Sequence, residues 1–566
     1  MTNKMLGFTR SSSQRVFLLA YALQSWSFGA VWLWWLWAGL TAAAVVHALC
    51  TYDHDYWSDH GVFSPPAWPL VGHILSVVTF QEQGGMCFKR IYDTYKDVKF
   101  LGTHQFFQRT LVIRDPSLIK RICVTDFQHF VDRGFYFNKQ VDPLAGSVLF
   151  LRGREWRTLR AKISPIFSPN KLRGMLPLIE NTANEFAEKV KALLNKTEDI
   201  NNNNHKSAEA TKVGKDDAKL DEDVNSAIVD SEKLVGGYTA DAIVPCAFGL
   251  KSNVMENDKD PFAVALQAFY EMSVYNVFEK TMRQFWPAFV LFFRMRIIPR
   301  RTHDFFYNIV TSVLKARETG AQEKRGDFID MMMALRSDDA DNARGSDDDD
   351  DVEITDMVIS ANAFIIFLGG FETTSSTLAF LLLELAAHPH VQDKMREEIL
   401  KMLDKHDGKV SYEMLQELTY MEMVIQETLR LYPPFPSIQR VCTRAYVVPA
   451  TRVLVRPGTV ALFPTLAIQR DGQYFDSPDS FIPERWGQGR PAPPAGVYMP
   501  FGDGPRYCIG KRFAMIQMKT CLTRLLPLVR VSPAPRAPPR ARPFPADPRS
   551  PLTLHPADST VTISLL

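Results

Sequence analysis

The sequence predicts a mainly α-helical domain with a smaller β portion, tethered to a membrane by one N-terminal helix. Three features carry this expectation. An apolar stretch of helical character runs from Thr355 to His388, an uncharged run extends from Phe28 to Val46, and the segments around Trp156 and Glu427 show helix-face spacing. With 566 residues and 46% hydrophobic content the chain can bury a substantial core. Its 65 basic and 63 acidic residues leave a formal charge of +2, so no global field points to nucleic acid. The seven cysteines lie far apart with no CxxC pair, which signals neither a disulfide framework nor a zinc site and fits a reducing compartment.

Residues 1–50 form an N-terminal segment whose uncharged run, with WLWWLW at its middle, is long enough to cross a hydrocarbon core of about 30 Å. A cleaved signal peptide has a shorter apolar core and a small-residue cleavage site, so the run is read as an uncleaved anchor. Residues 51–75 follow as a connector. Its PPAWPLVGH stretch, Pro65 to His73, is stiff because each proline fixes its own torsion and restrains its neighbour. The remainder, 76–566, is read as one domain with two polar interruptions. The first, 196–233, contains NNNNHK and KDDAKLDED; the second, 337–351, ends in five consecutive aspartates. Both are expected as solvated loops, too poor in apolar groups to offset the entropy of ordering.

Thr355 is placed to cap the long apolar helix and Pro389 to stop it, giving roughly 50 Å of helix at about 1.5 Å per residue. Its centre reads LGGFETTSS, where Gly369 and Gly370 remove bulk just before Glu372, Thr373 and Thr374. A carboxylate and four hydroxyls at that centre argue against a second membrane span. Further on, Glu427 and Arg430 stand three apart on one helix face, in a pattern that ends at Tyr432 before Pro433 and Pro434. The tail from Ser532 to Pro551 is too rich in proline for a helix, and VTISLL, Val561 to Leu566, is expected as a short strand.

The most specific signal is PFGDGPRYCIG, Pro500 to Gly510. A lone cysteine between glycines, with Phe501 seven residues before it and Arg506 two before it, suits a thiolate bound to haem iron. Such a sulfur needs backbone N–H groups from a tight turn, and Gly502, Gly504 and Gly510 supply the permissive backbone. Phe501 is placed to shield Cys508 from water and Arg506 to pair with a haem propionate. Trp156 and Arg160, four apart on one helical face, can offer an indole N–H and a guanidinium to the same propionate.

The cysteine segment resembles the haem-binding signature of the cytochrome P-450 superfamily, Phe-Gly-x-Gly-x-Arg-x-Cys-x-Gly, at every defined position. GGFETT resembles the family's oxygen-activation motif. The resemblance implies that Thr373 hydrogen-bonds bound oxygen, that Glu372 is the partner acid, and that the pair relays protons. It assigns Arg485, in FIPERW, as third member of a buried Glu427–Arg430–Arg485 network. It places Trp156 and Arg160 on the third helix, and RVC, Arg440 to Cys442, on a strand that brings Arg440 to the propionates.

From Pro65 to about Leu525 the motifs stand in family order. The family resemblance implies the cytochrome P-450 fold, haem b (iron protoporphyrin IX) held by Cys508, and monooxygenation of an apolar small molecule. Electrons would come from NADPH through a diflavin reductase, with cytochrome b5 as a further donor. RGFYFN, FSPNKLRGM and PRYCIGKRFAMIQMK look most like microsomal animal forms that handle foreign compounds, including insect detoxification enzymes.

This implies an anchor in the lipid of the endoplasmic reticulum, with the domain facing the cytosol. The charge rule alone argues the reverse, because Lys4, Arg10 and Arg15 precede the anchor while Asp53, Asp55 and Asp59 follow it. The resemblance is given precedence.

Two rival readings are a haem-thiolate isomerase or dehydratase, which the intact Glu372–Thr373 pair argues against, and a non-catalytic haem-binding sensor or carrier. Phe364 and Phe367 are candidate pocket residues, with core packing as the alternative. Lys511 and Arg512 are either part of a reductase landing patch or ordinary solvated charges. Gln469 departs from the family's usual histidine and Gly472 from its frequent proline, and the C-terminal tail is unusually rich in proline and arginine.

Overall fold

The computed structural model describes residues 31–208, 226–270, 286–296, 298–323, 325–342, 352–535, 542–550 and 552–566. The first helix, α1 (Val31–Thr51), carries Trp35 at 75% exposure, none of Trp34–Thr51 is buried, and its last turn meets the chain where the Leu70 N–H donates to the Cys50 carbonyl at 2.9 Å. It extends five residues beyond the predicted run; Phe28 to Ala30, and the charges at Lys4, Arg10 and Arg15, lie outside the described residues.

The connector is docked as well as stiff. Trp57 is buried and its indole donates to the Thr103 carbonyl at 3.0 Å, while Asp53 takes both Nε and Nη2 of Arg109 at 2.6 and 2.7 Å. It rests on the first strand, β1 (Phe100–Gln105), where two glycines allow close approach. A Cβ on Gly102 would meet the Trp57 ring at 2.1 Å, and one on Gly72 would meet the His104 carbonyl at 2.2 Å.

After β2 (Gln108–Ile113) come α2 (Gly153–Ile163) and α3 (Pro169–Ala208). The stretch read as a solvated loop over 196–233 is more structured than that reading. Helix α3 continues to Ala208, β3 spans Ser226–Asp230, and α4 (Ser231–Phe248) begins before the predicted loop ends. The physical reason is nonlocal: SAIVD is too short to order alone, but a distant strand satisfies its backbone. Residues 209–225 lie outside the described ones. The acidic stretch is likewise shorter, since α5 (Phe328–Asn342) carries helix through its first six residues and 343–351 are not described.

Helix α6 (Asp356–Ala387) is the predicted long helix. The Thr355 side chain accepts from the Val358 N–H at 3.3 Å, and Pro389 opens the next helix. Most of its residues are buried all round, as befits a helix through a core. It crosses α4 closely: a Cβ on Gly370 would stand 2.9 Å from Ile243 Cδ1.

Helix α7 (Thr419–Leu431) precedes β4 (Ile438–Val441) and β5 (Val460–Phe463); α8 (Lys511–Leu525) precedes β6 (Val529–Pro533) and β7 (Thr560–Leu565). One sheet has the order β1-β2-β5-β4, parallel only between β2 and β5. In a second, β7 lies between β3 and β6, antiparallel to both, with Asp230 opposite Thr560. The predicted C-terminal strand is therefore central to its sheet.

Candidate active site

Between α6, α4, β4, the cysteine loop and the C-terminal segment lies a cavity of about 1330 Å³. Cys508 faces it from below. The loop that presents Cys508 depends on two left-handed glycines, Gly502 at φ 72° and Gly504 at φ 69°. At Gly504 a Cβ would sit 1.8 Å from the Cys123 carbonyl oxygen, so no side chain fits. Gly510 was expected to serve the same purpose, but it has an ordinary φ of −88° and open space around it; what it contributes is its N–H, directed at the Cys508 sulfur. The Cys508 N–H donates to the Phe501 carbonyl at 2.8 Å, and Phe501 is half-buried beside it.

Burial pushes the Cys508 thiol up. The Gly510 N–H, Arg133, Arg160 and Lys511 oppose that shift without overcoming it. A metal bound at the sulfur would remove the proton outright.

Four arginines gather nearby. Arg506 Nε and Nη2 donate to the Val131 and Leu151 carbonyls at 2.9 Å each, and its guanidinium lies 3.7 Å from the centre of the Trp156 ring. Arg133 donates to the Arg506 carbonyl at 2.6 Å, Arg160 to the Tyr507 carbonyl at 3.0 Å, and Arg440 to the Gln439 carbonyl at 2.8 Å. Burial lowers all four; repulsion from neighbouring arginines adds to it at Arg506, lowered to about 8, and at Arg133, lowered to about 9, while burial alone lowers Arg160 and Arg440.

Among the described residues their one ion pair is Arg506 to Asp132 at 3.7 Å, and the buried Arg440 Nε and Arg506 Nη1 have no hydrogen-bond partner. A dianionic ligand bearing carboxylates would satisfy these orphaned donors, and the two propionates of haem b fit that requirement.

Arg160, Arg440 and Arg506 were legible as candidates. Arg133 was not, because its place depends on a bridge between Asp132 and Val441, far away in the chain. Trp156 is buried behind Arg506, off the cavity wall, so its ring supports that guanidinium from beneath.

On the opposite side Thr373 Oγ1 donates to the Gly369 carbonyl at 2.7 Å, and Gly369 has open space where a Cβ would stand. Glu372 Oε1 accepts from Thr553 Oγ1 at 2.7 Å and lies 3.5 Å from His555 Nε2. Phe364 lines the cavity, whereas Phe367 packs among Phe248, Phe262 and Phe306 in the core.

The family model for cytochrome P450 matches residues 63–552. The chain belongs to the cytochrome P450 family. Cytochrome P450 6k1 of Blattella germanica is 29% identical to it over 521 residues, covering 88% of this chain and 92% of the relative. Cytochrome P450 6B1 of Papilio polyxenes is 30% identical over 517 residues, covering 89% and 94%. Cytochrome P450 6a2 of Drosophila melanogaster is 30% identical over 491 residues, covering 85% and 90%. As a P450, the protein has the predicted mainly α-helical fold, uses haem b and acts as a monooxygenase.

Beneath the P450 site the Glu427 carboxylate, fully buried, takes Arg430 Nη2 at 2.8 Å, Arg485 Nε at 3.0 Å and the Trp486 indole at 3.0 Å. Gln469, the departure from histidine, is also fully buried. Its amide donates to the Leu429 and Arg430 carbonyls at 3.0 and 2.9 Å and accepts from the Met499 N–H at 3.0 Å, so three backbone groups are satisfied. Gly472 lies exposed in a turn with nothing within 4 Å of a Cβ.

Proposed function

We propose that this P450 oxidises apolar foreign compounds in the endoplasmic reticulum membrane, its domain in the cytosol. NADPH supplies the electrons through a diflavin reductase, and cytochrome b5 is a further donor. The observation that carries this reading is the facing of Cys508 and the Glu372–Thr373 pair across a cavity walled by Phe135, Phe150, Phe269 and Phe364. Such a wall binds by burial of apolar surface and imposes few directional constraints, as a broad substrate class requires.

Haem b, when bound, supplies the iron that reduces dioxygen and transfers one oxygen atom to the substrate. Cys508 Sγ would be its protein ligand, with Phe501 excluding water from the sulfur. Arg133, Arg160, Arg440 and Arg506 would hold the propionates, and Trp156 supports Arg506 from behind. Thr373 Oγ1, held by the Gly369 carbonyl, presents a hydroxyl at the cavity, and Glu372 is the acid that reprotonates it. Lys511 and Arg512 are exposed at the start of α8, beside the cysteine loop, where a reductase with an acidic surface would dock. The exposed apolar helix α1 supports the membrane assignment.

Two substitutions test the assignments. Cys508→Ser should abolish the thiolate spectrum of the reduced carbon-monoxide complex along with oxygenation. Thr373→Ala should keep that spectrum while much of the NADPH flux is diverted to hydrogen peroxide. A thiolate spectrum in the Cys508 variant, or unchanged coupling in the Thr373 variant, would refute the corresponding role.

A further inference from the structure

We propose that His555 is a positioning residue for Glu372, holding that carboxylate from the C-terminal segment and returning protons to it through the Thr553 hydroxyl. The inference rests on the role given to Glu372 above. Thr553 and His555 both follow residue 552, the last that the family model matches.

The geometry forms a continuous chain. His555 Nδ1 is in short contact with Glu232 Oε1 in the first turn of α4. On the other side of the ring, Nε2 lies 3.0 Å from Thr553 Oγ1, which in turn donates to Glu372 Oε1 at 2.7 Å. Because the Thr553 proton is committed to Glu372, the contact with His555 requires Nε2 to be the donor. The order is therefore Glu232, His555, Thr553, Glu372, every link a hydrogen bond, with a direct ion pair from Nε2 to Glu372 Oε1 at 3.5 Å.

Glu232 is the most exposed member, with 29% of its side chain exposed against 19% at His555 and 17% at Glu372, while Thr553 is buried, so Glu232 is the member best placed to meet water. Serine and threonine hydroxyls can pass a proton on because they donate and accept at one atom.

In one transfer the Nε2 proton moves to Thr553 Oγ1 as the Thr553 proton moves to Glu372 Oε1. Nδ1 keeps its proton, so the ring is left neutral. The ring recovers by turning its bare Nε2 toward Glu232, which passes it a proton drawn from water, and by turning back as the Thr553 hydroxyl rotates to face Glu372 again. One proton enters at Glu232 and one arrives at Glu372, and no other bond changes.

The charged groups facing the imidazole are Glu232 on α4, Glu372 on α6 and Asp547 on its own segment, the last neutralised by Arg549 at 2.8 Å. Burial lowers the imidazole, but the hydrogen bonds and charges of Glu232 and Glu372 outweigh it and raise it to about 10. The ring is thus charged at neutral pH and carries on Nε2 the proton that the transfer uses.

The test uses the full-length protein with reductase and NADPH, in four variants: His555→Gln, Thr553→Val, Glu232→Gln and Glu372→Gln. Histidine-selective nitrogen NMR supplies a readout independent of turnover. In the parent one imidazole should stay doubly protonated through neutral pH, and its titration should move toward the ordinary histidine range in Glu232→Gln. Thr553→Val keeps the shape and removes the hydroxyl, so it covers the case in which His555→Gln fails to fold.

Both of those variants should divert NADPH to peroxide several-fold more than the parent, with the diversion growing as pH rises. Normal coupling in both, or a His555 that titrates as an ordinary histidine, overturns the relay. If Glu372→Gln itself keeps full coupling, the role of Glu372 falls and the relay with it. If Glu372→Gln uncouples while His555→Gln and Thr553→Val do not, the relay alone falls.

Discussion

Replacing Gly504 with alanine separates two costs that glycine hides. At φ 69° any side chain incurs the penalty of the left-handed region, about 1–2 kcal/mol. The new Cβ would also sit 1.8 Å from the Cys123 carbonyl oxygen, where a backbone group and not a flexible side chain must give way. Overpacking of that kind adds about 1–3 kcal/mol, so Gly504→Ala should cost about 2–5 kcal/mol in total.

Gly502 provides the control. Its φ is 72°, almost the same, but the nearest atom to its Cβ is Tyr507 Cα at 3.9 Å, an ordinary contact. Gly502→Ala should therefore cost only the conformational share, about 1–2 kcal/mol. The assay is denaturant unfolding of the full-length protein, followed by backbone circular dichroism, with retention of the haem Soret band read in parallel. Equal losses in the two variants would refute the claim that the approach to Cys123 governs this loop.

Glu427→Ala strands Arg430 and leaves the Trp486 indole unpaired, which should destabilise the protein by about 3–5 kcal/mol in the same unfolding assay. Deleting Ser226 to Lys233 removes β3 and the first turn of α4, and should sharply lower holoprotein yield, as measured by the carbon-monoxide difference spectrum. Asn195, in the sequon Asn195-Lys196-Thr197, is exposed on α3 and should remain unglycosylated in expressing cells; a mass shift reversed by glycosidase would put the domain in the lumen.

The parts legible in the sequence were those whose physics is local. The cysteine loop is a contiguous turn, so its glycines, Phe501, Arg506 and Cys508 announce one another by spacing. Helix α6 carries its own cap at Thr355, and its polar centre distinguishes it from a membrane span. What sequence spacing missed was set by distant partners. Arg133 reaches the site because Asp132 bridges to Val441, and β3 is ordered only because β7 pairs with it. His555 gained its setting from Glu232 and Glu372, 323 and 183 positions away (555 − 232 and 555 − 372). The substitution of Gln469 for histidine became intelligible only when three backbone groups were found on its amide.

The place of β7 has a consequence for biosynthesis. Strand β3 leaves the ribosome early, yet its partner follows 330 residues later, from Asp230 to Thr560. Strand β6 precedes β7 as well, so both neighbours are translated before the strand that joins them. Until then each exposes an unpaired edge that invites association with other nascent chains. Helix α1 emerges long before, so the sheet would close on a chain already held at the membrane. Tethering would limit such encounters to neighbours on the same polysome, and a soluble chain lacking α1 should aggregate more readily during synthesis.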